Sequence, residues 1–185
     1  MLAYTKSRLI DQEGEFIADH EDRFDNRHRA PYRRIATVAR RWSKCHPIFG
    51  LIDREQLLRT DLIGPYVGSD VTLLAQLAVL GEFHEVPVRT FSRRIHPRSS
   101  RQGELSLDEV AEWFDTSKNK ASRLRPSNIV MIEIVRSLFA SELPAMQKVL
   151  CSGAYCLTWE FRYARIRGGR IKMQLKERLG HTETT

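Results

Sequence analysis

The longest predominantly apolar run, Val71 to Leu80, constrains the fold of this chain most. Ten residues of this kind are too few to span a bilayer, which needs roughly 18–20. Ser69-Asp70 stands where a helix start places its polar residues, and Gly81 stops the run. The run therefore reads as an apolar helix from Val71 to Leu80.

The flanks supply strands and smaller helices. Leu2 to Ile10 alternates in part and runs into Asp11-Gln12-Glu13-Gly14, then Glu15-Phe16-Ile17. That order reads as strand, turn, short strand, with Gly14 supplying the turn. Residues 19–34 are highly charged and read as a surface loop. Ile35, Val38, Ala39 and Trp42 fall on one helical face. Residues 45–52, CHPIFGLI, hold Pro47 and Gly50 and suit a buried strand or loop. Arg54 to Thr60 suits a short helix. Phe83 to Val86 and Val88 to Ile95 read as two strands around Pro87. Leu107 to Phe114, Asn128 to Phe139 and Leu143 to Arg165 read as helices.

At 185 residues, with 42% hydrophobic content, the chain can bury a core without staples. Cys45, Cys151 and Cys156 form no Cys-x-x-Cys pair, so zinc held by thiolates is not expected and the thiols are expected reduced, as in the cytoplasm. The N-terminus lacks the apolar core of a signal peptide. The net charge is +7 and is unevenly placed. Residues 161–180 carry seven basic residues against Glu177 alone. Such a tail favours an anionic partner: nucleic acid, phosphates or an acidic membrane surface.

Three segments together resemble a known family. The first is CHPIFGLI with Arg54 and Leu57-Leu58. The second is residues 64–87, GPYVGSDVTLLAQLAVLGEFHEVP. The third is residues 91–99, FSRRIHPRS. In this order and spacing they resemble the C-terminal half of family-2 glycosyltransferases with the GT-A fold. The resemblance covers about residues 2–100, weakens to about 165 and is absent in the tail. It implies an α/β chain, with a partial GT-A-like mixed sheet, flanking helices and a C-terminal helical segment. The expected division is an acceptor-side portion over 1–100, a helical extension over 104–167 and a flexible basic tail over 168–185.

The resemblance assigns roles residue by residue. Asp70 takes the place of the base that deprotonates the acceptor hydroxyl in an inverting transfer. A helix-capping Asp would look the same in sequence. Phe49, Gly50, Gly68 and Ser69 would line the acceptor side, and plain core packing also accounts for Phe49-Gly50. His96 and Arg94 match positions near the metal and the nucleotide diphosphate; a surface His and a strand Arg are the plainer accounts. Ser69 stands where the family more often has Glu, which leaves Asp70 as the one carboxylate there.

The family's nucleotide-binding half carries an Asp-x-Asp that holds Mg²⁺ or Mn²⁺. No Asp-x-Asp occurs in this sequence. Asp19-His20-Glu21-Asp22 is the nearest acidic cluster and reads as a solvated face, so no metal site is assigned. The expectation is a chain lacking the nucleotide-binding half. It would be inactive alone towards sugar nucleotide and acceptor, unless a partner chain supplies the rest. A peripheral position on an anionic membrane through the basic tail fits the same reading. The competing expectation is DNA binding, since residues 107–124 resemble a helix-turn-helix. Asp115-Thr116 in the turn and Arg125-Pro126 after it count against that.

Overall fold

The computed structural model describes residues 1–41, 45–96 and 125–180, with side chains to residue 169. It is a mixed α/β arrangement. β1 (Leu2–Ile10) is the central strand. β4 (Phe83–Arg94) pairs with it in parallel along its whole length. β2 (Phe16–His20) pairs antiparallel with the far half of β1, and the two-residue β3 (Leu51–Ile52) with its start.

The helices are α1 (Pro31–Arg41), α2 (Arg54–Leu57), α3 (Ser69–Leu80), α4 (Pro126–Ala140) and α5 (Ala145–Gly180). α3 contains the apolar helix expected over Val71 to Leu80, and it lies in the interior. Val71, Leu74, Ala75, Leu77 and Ala78 are fully buried. α1 packs against both α3 and α5, and α4 packs against α3. The core joins Leu2, Tyr4 and Phe83 of the sheet to Ile35 and Val38, to α3, to Val130 and Ile134, and to Cys151 and Tyr155. Each fully buried Leu or Ile contributes about 1.5–3 kcal/mol relative to exposure, so this cluster dominates the fold's stability.

Several elements depart from the sequence expectation, each for a local reason. Phe83 to Arg94 is one strand rather than two. Thr5 pairs with Val86 and Lys6 with Arg89, so Pro87 and Val88 sit in a bulge. A bulge tolerates a residue with no N–H to give to the ladder. Residues 46–49 form a short 3-10 turn, with Pro47 in its first turn, where a missing N–H costs nothing. Asp53 caps α2 by accepting from the backbone of Glu55 and Gln56. The charged stretch 19–34 is not a surface loop throughout. Asp22, Phe24 and Asn26 alternate inward and are buried. Asn26 bridges Phe83 at the start of β4. α5 continues past Gly168-Gly169 to Gly180, into the segment expected as tail.

Trp42 and the helix-turn-helix resemblance at 107–124 lie outside the described residues. No helix among the described residues is long and apolar enough to cross a membrane.

Candidate functional site

Gly68 adopts φ 89°, a left-handed conformation that side chains other than glycine disfavour. That turn swings the chain into α3 and makes Gly68 its N-cap. Ser69 is buried and Asp70 is half-buried. Asp70 is the one acidic residue of α3 and lies in its first turn. Its Oδ1 accepts from the backbone N–H of Val71 at 2.9 Å. A carboxylate there is favoured by the free N–H groups and the positive end of the helix dipole. The capping account and the base account thus share one residue: Gly68 holds the cap position, and Asp70 sits two residues in.

The 3-10 turn runs beside β1 and also touches α3. It carries Phe49, which is 67% exposed. The Phe49 ring stacks on Phe91 of β4, with centroids 5.0 Å apart and planes 16° from parallel. Phe49 presents an apolar face to solvent, and Phe91 beneath it is partly buried. Gly50 is needed for a different reason than ligand approach. A Cβ there would collide with the backbone oxygen of Ala3 in β1, so the glycine lets the turn sit directly on the central strand.

β4 ends at Arg94, and His96 follows, exposed. Arg94 donates from Nη1 to the carbonyl oxygens of Asp11 and Gln12. Its charge is engaged with the β1–β2 turn. No carboxylate cluster accompanies His96 among the described residues. Among the described residues, Arg94 and His96 are joined by no grouped oxygen ligands of the kind that Mg²⁺ or Mn²⁺ takes.

One cluster escapes the sequence reading. His46, Asp22, His20 and Ser7 converge where the 3-10 turn meets β1 and the end of β2. His46 Nδ1 is 3.0 Å from Asp22 Oδ2 and 2.6 Å from Ser7 Oγ. Ser7 Oγ donates to Asp22 Oδ2 at 3.2 Å. His20 Nε2 is 3.5 Å from Asp22 Oδ1. Asp22 and His46 are 3% and 2% exposed, so the solvated face expected for 19–22 holds for Asp19 but not for Asp22. Arg93 Nη1 lies 3.2 Å from His46 Nε2. A guanidinium only donates, so Nε2 accepts and the His46 proton sits on Nδ1, facing the carboxylate. Ser7 stands 13 residues before His20, and His46 stands 24 residues after Asp22, so spacing alone cannot bring them together.

Around this cluster the surface charges pair. Lys6 meets Glu21, and Arg89 meets Asp19 and Glu21. The hydrogen bond from Lys6 holds the Glu21 carboxyl below its ordinary range. Within α5, Arg162 lies over the ring of Trp159, three residues earlier on the same helix, 5.6 Å from its centre. The chain matches no protein-family model, no curated protein and no solved structure.

Proposed function

We propose that this chain is the acceptor-side portion of an inverting, sugar-nucleotide-dependent glycosyltransferase. The observation that carries this reading is Asp70. It is a half-buried carboxylate at the mouth of a helix otherwise sunk in the core, delivered there by a left-handed glycine.

In this reading an acceptor sugar rests on the Phe49–Phe91 face. Aromatic rings match the apolar C–H face of a sugar. The acceptor hydroxyl donates to the Asp70 carboxylate. Asp70 takes the proton as the oxygen attacks the anomeric carbon of the donor, opposite the departing nucleotide diphosphate. In this reading no donor site is assigned to this chain, which holds no Asp-x-Asp. The basic C-terminal helix fits a peripheral position on an anionic membrane, beside a lipid-linked acceptor.

The test is a titration of the chain with two panels. One holds mono- and oligosaccharides; the other holds nucleotide sugars with Mn²⁺. The expected result is millimolar saccharide binding with neither donor binding nor turnover. Donor binding, or no response to any saccharide, contradicts the proposal.

A further inference from the structure

We propose that His20, Asp22 and His46 form a binding site for one divalent transition-metal ion, with Zn²⁺ as the probe that reports it. The site does not rest on the transferase reading, which uses Asp70 and the Phe49–Phe91 pair.

The donor set is two imidazoles and one carboxylate, an established combination for Zn²⁺ and Fe²⁺. One ligand atom from each residue lies within 4.8 Å of the others. The contacts are 3.0 Å from Asp22 Oδ2 to His46 Nδ1 and 3.5 Å from Asp22 Oδ1 to His20 Nε2. In a tetrahedron with metal–ligand bonds of about 2.0–2.1 Å, neighbouring ligands stand about 3.3–3.4 Å apart. The two contacts use different oxygens of Asp22, so a rotation of the carboxylate and the imidazoles must bring one oxygen and both nitrogens around a single ion.

A second observation points to a ligand. The Asp22 side chain has no exposed surface, and its Oδ1 has no hydrogen-bond donor. A buried carboxylate oxygen left without a donor is costly, and a cation would remove that cost. Ser7 Oγ, 3.2 Å from Asp22 Oδ2, borders the remaining position, which a water would fill. Half-buried His20 stands on the solvent side and offers the way in.

Arg93 opposes the metal. It holds His46 in the tautomer with the proton on Nδ1, the nitrogen nearest Asp22. Metal binding at Nδ1 moves that proton to Nε2, which then repels the guanidinium. The metal-free cluster is thus a closed hydrogen-bonded state, and the ion must displace Arg93 from His46.

The experiment is Zn²⁺ titration of chelator-treated full-length chain against a chromophoric competitor. A parallel Co²⁺ titration reads the visible absorption of tetrahedral cobalt. The expected result is one Zn²⁺ per chain, with micromolar or tighter affinity and the absorption of a tetrahedral cobalt site. His20→Ala is expected to weaken binding at least tenfold while leaving the fold intact, since His20 is half-buried. Arg93→Ala is expected to tighten it severalfold, an effect that a purely structural hydrogen bond would not give. Asp22→Asn is the stricter ligand test, but it also disturbs the buried pair with His46, so His20→Ala decides if it does not fold. Zn²⁺ binding weaker than millimolar, or unchanged affinity in His20→Ala, overturns the proposal.

Discussion

Arg34 donates from Nε to the carbonyl oxygen of Ala78 at 2.6 Å, locking α1 onto the last turn of α3. Its Nη2 reaches Val79 O at 2.7 Å, and Nη1 reaches His28 O and Arg29 O. Among the described residues, no carboxylate forms an ion pair with this buried guanidinium. Carbonyls left over at a helix C-terminus, on the negative end of its dipole, take that place. Burial pushes the Arg34 pKa down, yet arginine keeps its charge at neutral pH.

Replacing Arg34 with Met keeps the stem and removes every donor. Four carbonyls lose a partner, two of them on α3. We expect a loss of roughly 3 kcal/mol, from the cost of orphaned buried acceptors. The melting temperature should fall by roughly 6–12 °C for a chain of this size. Arg34→Lys restores the charge but not the fork, and should recover less than half the loss. Differential scanning fluorimetry of the three proteins checks this ranking.

Gly50→Ala places a methyl group against the backbone of Ala3, which has no freedom to retreat from the central strand. The expected cost is about 1–3 kcal/mol, typical of overpacking. Gly153→Ala is the control: a Cβ there meets open space, in the middle of α5. It should stabilise by roughly 0.5–1 kcal/mol through helix propensity. Urea midpoints measured in parallel separate the two.

Tyr4 links three elements. Its hydroxyl donates to Glu85 Oε2 at 2.8 Å and accepts from the Phe24 N–H at 2.8 Å. Burial, followed by the Glu85 carboxylate, raises its pKa far above the ordinary phenol value. Burial also raises Tyr155. Below the unfolded value of about 10 the phenols are protonated in both states, and their contribution is fully present. Above pH 10 the unfolded chain ionises while the folded one resists, so stability falls as pH rises. The slope reaches about 1.4 kcal/mol per pH unit for each such tyrosine. Tyr4→Phe should cost about 1–2 kcal/mol at pH 8 and flatten the alkaline slope. Chemical denaturation at pH 8, 10 and 11 measures both.

Much of the scaffold is legible in the sequence. Val71 to Leu80 reads as a helix from its apolar run, and most of that helix is buried, with Gln76 turned to exposed Asp61. Ile35, Val38 and Ala39 mark the inner face of α1 by their spacing, and those residues are buried. The polar interior is not legible. Arg34 and Asp22 sit among exposed charges of the same types, and nothing local separates a buried ion from a solvated one. What separates them is tertiary: the end of α3 for Arg34, and His46 with Ser7 for Asp22. The continuity of β4 is hidden for a related reason. Pro87 argues for a break, and only the pairing with β1 shows that a bulge absorbs it.

Phe49 separates binding from stability. At 67% exposure it contributes little to the core, so Phe49→Ala should cost no more than about 1 kcal/mol. In the transferase reading the same change weakens saccharide binding several-fold, which parallel thermal melts and saccharide titrations would show. A large loss of stability with unchanged saccharide binding would assign Phe49 to packing instead.

The central claim is that an acceptor sugar sits between Asp70 and the Phe49–Phe91 pair. Amide chemical shifts of the isotopically labelled chain, followed during titration with the best-binding saccharide, test it most directly. The account predicts shifts concentrated at Phe49, Gly50, Gly68, Ser69, Asp70 and Phe91, lost in Phe49→Ala and altered in Asp70→Asn. Saturable shifts confined to α4 or α5, or no saturable shifts with any saccharide, would contradict it.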